Sequence, residues 1–288
     1  MPIEPPVESP RTLRDAFAVL SGASSDAPIR PLAGATDLLV QITGEIGPPP
    51  VRLLDLWHLD ELRGIDVTRE GLVLGALTTY SQIRRSALCR ELAPALVEAA
   101  ATIGAAQIQN RGTIGGNIAN ASPAGDTLPV LLAADAVLLV GGQRGEREIP
   151  IAKFFVDYRK TALQSDELIL QVRIPLPAGR SVRFRKVGTR RAQAISKVVM
   201  ALAWQDLGAA GWREVRVALG SVAATTIRAR ATEAVLEGAR PTPEVADRAA
   251  ETLAGELNPI DDVRSTADYR RIVAARILHR LLRDAGGW

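Results

Sequence analysis

The amino-acid sequence predicts an α+β protein made of three subdomains. Its 288 residues are more than a single hydrophobic core usually organises. Strand-length apolar runs and helix-spaced runs are mixed through the first 177 residues, whereas strands precede helices in the remainder. Runs rich in glycine and proline separate these blocks. We therefore place the subdomains at residues 1–56, 57–177 and 178–288.

The first subdomain combines helix and strand signals in a small α/β unit. Thr12 precedes apolar residues at helical spacing, so it is expected to cap a helix that runs to Leu20. Short apolar segments at 29–33 and 51–56 predict strands. Between them, an apolar pattern over 37–42 predicts a helix that ends in a glycine- and proline-rich stretch.

The second subdomain is predicted to be richer in strands. Its expected strands are 62–67, 71–76, 136–140, 147–150 and 168–175. Its expected helices are 81–85 and 91–103, followed by a glycine-rich loop over 112–126 and an apolar stretch over 127–136.

The third subdomain reads as a sheet followed by helices. The expected strands are 181–186, 197–205 and 215–222, and the expected helices are 227–236, 243–254 and 269–283. The sequence Ser-Thr-Ala-Asp at 265–268 predicts a cap for the last helix.

Composition excludes several classes of function. Cys89 is the only cysteine, so this chain holds neither an intramolecular disulfide nor a cysteine-ligated iron–sulfur or zinc site. The formal net charge is only +3, and the sequence has no dense basic run interleaved with aromatic residues. Nucleic-acid binding is therefore not expected. No apolar run is long enough to cross a bilayer, and the Met-Pro-Ile-Glu-Pro-Pro start has no signal-peptide pattern. These features predict a cytoplasmic protein without membrane insertion.

Two loops of small residues predict the functional site. Residues 112–126 contain glycines, hydroxyls, carboxamides and one acid with almost no bulk, and residues 31–38 are a shorter version. Backbone N–H groups at Gly34, Gly115 and Gly116, with hydroxyls at Thr36 and Thr113, could surround a diphosphate without any lysine. Neither loop matches the P-loop or the Rossmann fingerprint.

These loops resemble the two FAD-binding motifs of the flavoprotein medium subunits of molybdenum hydroxylases, the xanthine dehydrogenase and carbon monoxide dehydrogenase type. The resemblance rests on residues 33–39 and 113–126 and covers nearly the whole chain. Further matching segments are 154–161, 166–169, 174–175, 184–187, 190–198 and 268–271. The resemblance implies a vanillyl-alcohol-oxidase-type (PCMH-type) FAD-binding fold of two α/β subdomains, followed by the family's C-terminal domain.

The resemblance also implies noncovalent FAD and the residues that bind it. Carried over by position, these are Pro31, Leu32, Ala33, Gly34, Ala35, Thr36, Asp37 and Leu38 in the first loop, Thr113, Ile114, Gly115, Gly116 and Asn117 in the second, and Ile103, Asp126, Ile169 and Lys186 elsewhere. Asp126 is expected to bind a cofactor hydroxyl, and Lys186 to lie near the isoalloxazine edge. No metal site and no acid, base or nucleophile is expected in this chain.

Three positions depart from the family pattern. Ala35 replaces a glycine, which raises the question of whether that position needs a positive φ. Gln109 stands where many relatives have arginine. Ile103 stands where some relatives place an aromatic residue beside the flavin.

The implied function is electron transfer within a hetero-oligomer. A small iron–sulfur subunit and a large molybdopterin subunit would hold the remaining redox centres, and the external acceptor would be NAD, a quinone or oxygen. Two alternatives remain open at this point, a free-standing FAD-dependent reductase and a flavin-free assembly subunit.

Overall fold

The computed structural model describes residues 5–24, 26–190 and 193–288. Residues 1–4 lie outside these ranges, and they belong to the N-terminal segment used for the signal-peptide expectation. Residues 191–192, which belong to the matching segment 190–198, also lie outside them. In the described ranges the chain forms three main sheets with helices packed around them, in agreement with the predicted α+β class.

The first sheet is small and parallel. Thr12 caps the first helix as predicted, because its side chain accepts a hydrogen bond from the Asp15 N–H at 3.1 Å. The strand order is β1-β3-β2, so β2 is an edge strand that leads directly into the first loop of small residues. The elements are β1 (Val7–Glu8), α1 (Leu13–Ser21), β2 (Ile29–Leu32), α2 (Leu38–Thr43) and β3 (Arg52–Asp55).

The second sheet has five antiparallel strands in the order β4-β5-β10-β6-β7. Its strands are β4 (Ile65–Thr68), β5 (Gly71–Gly75), β6 (Val137–Gly142), β7 (Gly145–Pro150) and β10 (Leu168–Ile174), and a hairpin of β8 (Phe155–Asp157) and β9 (Lys160–Thr161) stands apart. Its helices are α3 (Tyr80–Arg85), α4 (Ala87–Leu92), α5 (Pro94–Ala101), α6 (Ala106–Arg111), α7 (Ile114–Asn120) and α8 (Leu128–Ala133).

Two predictions for this region are wrong in detail. The expected helix over 91–103 is divided, because Pro94 starts a new helix and cannot continue the preceding one. The expected loop over 112–126 contains α7, whose first turn is capped by the Thr113 hydroxyl. Glycine disfavours helices on average, but the cap and the tight packing described below outweigh that cost.

The third sheet has the order β11-β12-β13-β14 and is buried on both faces. Its elements are β11 (Arg180–Val187), β12 (Val198–Asp206), β13 (Trp212–Gly220), β14 (Ile227–Arg228), α9 (Arg230–Leu236), α10 (Pro243–Glu256) and α11 (Ala267–Gly286). One face shares a core with the middle helices through Phe184, Ala201 and Ala218. The other face packs against α9 and α11, and α10 packs on these two helices in the same core. Residues 227–228 pair with β13, so the predicted helix over 227–236 begins only at Arg230.

Candidate FAD site

One cavity of about 1240 Å³ lies where the three sheets meet. It is lined by the first loop, by the loops around α7, and by segments of the C-terminal subdomain. Of the seventeen predicted FAD-binding residues, all except Ile114 line it. The Ile114 side chain is fully buried in the central hydrophobic core, so the structure corrects its placement at the cavity wall.

The first loop offers a run of free backbone amides. Residues 33–37 connect β2 to α2, and the N–H groups of residues 34–38 donate to no acceptor in the described ranges of the chain. Ala35 has φ +65°, so the loop does require the left-handed conformation at the position where the family has glycine. Successive free N–H groups in such a turn form an anion-binding concavity. This loop therefore fits a diphosphate, with the Thr36 hydroxyl as a further donor.

The second loop is different, because its amides are already used within the protein. The N–H groups of Ile114 and Gly115 donate to the carbonyls of Thr78 and Ala76, each at 2.9 Å. The Gly116 N–H donates to the Thr113 hydroxyl at 3.1 Å. The expectation of free amides thus holds for the first loop and is wrong at Gly115 and Gly116.

The glycines of both loops are explained by contacts within the protein. A Cβ on Gly34 would lie 1.8 Å from the Arg111 carbonyl oxygen, so the first loop touches the backbone that leads into the second. A Cβ on Gly115 would lie 2.7 Å from both the Cβ and the carbonyl oxygen of Ala76. Real side chains essentially never come that close, so Gly115 lets α7 pack against the end of β5. The small residues bring the two loops together and leave a cavity beside them.

A buried polar cluster joins the FAD-domain side of the cavity to the C-terminal subdomain. The Lys186 ammonium on β11 donates to Asp126 Oδ2 at 2.6 Å and to the Thr102 carbonyl at 3.1 Å. Ser196 donates to Asp126 Oδ1 at 2.5 Å, and the Thr102 hydroxyl lies 3.3 Å from Asp126 Oδ2. Burial raises the pKa of Asp126, while Lys186 and the hydroxyl donors oppose that shift by stabilising the carboxylate. Asp126 is therefore primarily the counterion of Lys186, with little capacity left for a cofactor hydroxyl.

Gln109 has a supporting role away from the cavity. Its side chain is buried, and its Nε2 donates to the Ile103 carbonyl at 2.9 Å. Arg84 donates to the Gln109 side-chain oxygen. Gln109 thus fixes the turn that carries Ile103 to the cavity wall, and the departure from arginine is accommodated by an internal hydrogen-bond network.

Two further predicted residues line the cavity from the middle sheet and its helices. Ile169 is buried on β10, beside a bulge at which the Leu170 carbonyl accepts the Ala76 N–H at 2.9 Å. The Asn117 side-chain oxygen accepts a hydrogen bond from the Thr127 hydroxyl at 2.8 Å, which leaves its NH₂ group available.

Sequence reasoning missed several cavity residues. Tyr80 is buried beside both loops, and burial raises its pKa, so the phenol is neutral at any physiological pH. Ser221 and Arg270 come from distant parts of the C-terminal subdomain. No motif includes Ser221, and the matching segment 268–271 contains Arg270 without indicating a cavity role, because the place of both residues follows from the packing of the third sheet.

The described residues contain no group of histidine, cysteine, aspartate and glutamate side chains that could hold a metal ion. None of the helices in the described ranges is both long and apolar enough to cross a membrane.

The free amides of the first loop and the cavity beside them suit an extended ligand that contains a diphosphate. Comparison with known proteins specifies the class. The family model described as the FAD binding domain in molybdopterin dehydrogenase matches residues 3–177, and the CO dehydrogenase flavoprotein C-terminal domain matches residues 183–285. The chain belongs to this family of FAD-binding dehydrogenase subunits.

Similar proteins agree along the whole length. The chain is 31% identical over 281 residues to the carbon monoxide dehydrogenase medium chain of Hydrogenophaga pseudoflava, covering 96% of this chain and 95% of that one. It is 29% identical to the xanthine dehydrogenase FAD-binding subunit of Escherichia coli, with coverage of 96% and 95%. A solved structure of the Hydrogenophaga pseudoflava enzyme superimposes with a TM-score of 0.91 over 97% of this chain and 96% of that chain. The predicted PCMH-type fold is confirmed.

Proposed function

We propose that this chain is the FAD-carrying electron-transfer subunit of a molybdenum hydroxylase complex. Electrons from a large molybdopterin subunit would pass through the iron–sulfur clusters of a small subunit to the FAD of this chain. From there they would reach an external acceptor such as NAD, a quinone or oxygen. The observation that carries the proposal is the run of free amides at residues 34–38, at the wall of a cavity large enough for a dinucleotide, in a chain of this family.

The chain's residues divide the work of holding noncovalent FAD. The amides of residues 34–38 would bind the diphosphate, and Gly34 and Gly115 would hold the two loops together. Ile103 and Ile169 would provide apolar walls, and Lys186, neutralised by Asp126, would supply a fixed donor. When bound, FAD supplies the ability to accept electrons singly and release them as a pair, which side chains lack.

The lone cysteine assigns the other redox centres to partners. Iron–sulfur clusters of this kind need several cysteine ligands, and the sequence contains only Cys89, which is buried. A free-standing reductase would need its own substrate site and proton donor. Among the described residues that line the cavity, the buried acid is Asp126, and its carboxylate is engaged by the Lys186 ammonium and by the Ser196 hydroxyl.

Purification of the chain together with the products of its neighbouring genes tests this proposal. We expect FAD, iron and molybdenum in one complex, with FAD released on denaturation of this chain. FAD without iron or molybdenum would support the free-standing reductase instead. A complex containing iron and molybdenum whose flavin site cannot be reconstituted with FAD would support the assembly subunit.

A further inference from the structure

The cavity has a second set of donors that no FAD assignment uses. Ser221 and Arg270 line it from the C-terminal subdomain and are only 7% and 4% exposed. The Ser221 hydroxyl and the Arg270 Nε each lack a hydrogen-bond partner in the described part of the chain. A buried donor left unpaired costs about 1–3 kcal/mol, so a pair of them at one cavity indicates a ligand that supplies acceptors.

The backbone at Ser221 is strained. Its φ is +65°, in the left-handed region that a serine adopts at a cost of order 1 kcal/mol. The conformation is held from two sides: the Ser221 N–H donates to the Pro123 carbonyl at 2.8 Å, and the Ser221 carbonyl accepts from Arg270 at 2.6 Å. Arg270 is itself fixed by Asp262, at 2.7 Å. Strained residues that the surroundings hold in place cluster at ligand sites.

The anchor of this turn places it beside the glycine-rich segment. Pro123 belongs to residues 112–126, and a Cβ on Gly220 would lie 2.8 Å from the Pro123 carbonyl oxygen. The turn over 220–224 therefore packs directly on the loop that follows α7. Ala223 and Ala224 continue the cavity wall with small apolar side chains, which leaves room for a flat ring.

The chemistry of this region fits one part of the cofactor. The diphosphate has its amides on the first loop, and adenine requires both donors and acceptors from the protein. The isoalloxazine ring presents four acceptors along its polar edge, two carbonyl oxygens and two ring nitrogens, against one N–H donor between the carbonyls. The C-terminal side of the cavity presents donors: Ser221, Arg270 and Lys186.

We infer that Ser221 and Arg270 are positioning residues for the isoalloxazine ring, donating hydrogen bonds to its carbonyl edge. This inference rests on the proposed function, since it requires FAD in the cavity. It makes the C-terminal subdomain part of the cofactor site. Because reduction increases negative charge along that edge, the two donors bind reduced FAD more tightly than oxidised FAD and so raise its reduction potential.

The test uses the wild-type complex and complexes carrying Ser221→Ala, with FAD removed and titrated back. Loss of one hydrogen bond of about 1 kcal/mol predicts about a fivefold rise in the Kd for oxidised FAD. We expect the Kd for reduced FAD to rise more than the Kd for oxidised FAD, so the reduction potential of the bound flavin falls. The fall is about 30 mV for each tenfold by which the rise for reduced FAD exceeds the rise for oxidised FAD.

Two further variants make the result specific. Thr226→Val removes another buried, unpaired hydroxyl that does not line the cavity, so it should leave both the Kd and the potential unchanged. Ser221→Gly removes the hydroxyl and also the backbone strain, so it should lose FAD affinity as Ser221→Ala does while remaining at least as stable as the wild type.

The outcomes separate this inference from the proposed function. The inference would be overturned, even though FAD is bound, if Ser221→Ala kept the wild-type FAD affinity and flavin potential. It would also be overturned if Ser221→Gly recovered both. A wild-type complex that takes up no FAD would overturn the proposed function and the inference with it.

Discussion

Replacement of Ala35 by glycine tests the geometry of the first loop most sharply. Ala35 has φ +65° where a residue with a Cβ is strained, at a cost of about 1–2 kcal/mol. Glycine removes that strain but adds about 0.5–1 kcal/mol of backbone entropy to the unfolded chain. The middle values of the two ranges predict that Ala35→Gly raises the free energy of unfolding by about 0.8 kcal/mol.

The assay is urea unfolding of the FAD-free chain, with Ala33→Gly as the matched control. Ala33 lies in the same loop without a positive φ and packs its methyl group against the core, so glycine there should lower the unfolding free energy by at least about 0.5–1 kcal/mol. Opposite signs for the two variants support the left-handed turn. Equal destabilisation would refute it, because Ala35 would then not occupy that conformation in solution.

Three other variants or reactions test the packing of the site. Gly115→Ala places a Cβ 2.7 Å from Ala76, so it should lower the free energy of unfolding, measured by thermal denaturation, by about 1–3 kcal/mol. A variant with the wild-type melting temperature that has lost its flavin would instead mean that Gly115 faces the cofactor. Lys186→Met leaves the Asp126 carboxylate buried without its counterion, so it should lower the free energy of unfolding by about 3 kcal/mol. Adding Asp126→Asn in the same chain should restore most of that loss. If the losses of the two single variants simply add in the double variant, the two side chains do not stabilise each other as proposed. Burial raises the pKa of the Cys89 thiol, so a disulfide reagent at pH 8 should modify it only as fast as the chain unfolds, and rapid labelling of the folded chain would contradict this.

Local patterns in the sequence predicted most of the elements and both cavity loops. Thr12 was identified as a cap because a hydroxyl directly before an apolar helical pattern can accept a hydrogen bond from a free N–H of the first helical turn. Ala35 departs from the family's glycine, which raised the question of a positive φ, and the structure answers it with a φ of +65°. Helix caps depend on a few neighbouring residues, which is why a single sequence suffices for them.

The role of the second loop could not be read in the same way. A Gly-Gly pair in a polar segment indicates close approach of something to the backbone, but not whether that is a ligand or another strand. Here Gly115 approaches Ala76, which is 39 positions earlier in the chain, and its N–H bonds to the same residue. The ion pair of Asp126 with Lys186 likewise joins residues 60 positions apart.

The C-terminal contribution to the cavity was the furthest from local signals. Ser221 falls near the end of a predicted strand, and Arg270 is one of five arginines in a predicted helix. Only the packing of the third sheet against the middle helices brings them to the cavity, where their unpaired donors become visible.

The FAD content of the native complex tests the central claim most directly. The chain should be isolated with its partner subunits, and the cofactor released by denaturation should be measured by its absorption spectrum and its stoichiometry. We predict about one noncovalent FAD for each copy of this chain. A complex that contains iron and molybdenum but releases no flavin, and that cannot be reconstituted with added FAD, would contradict the account.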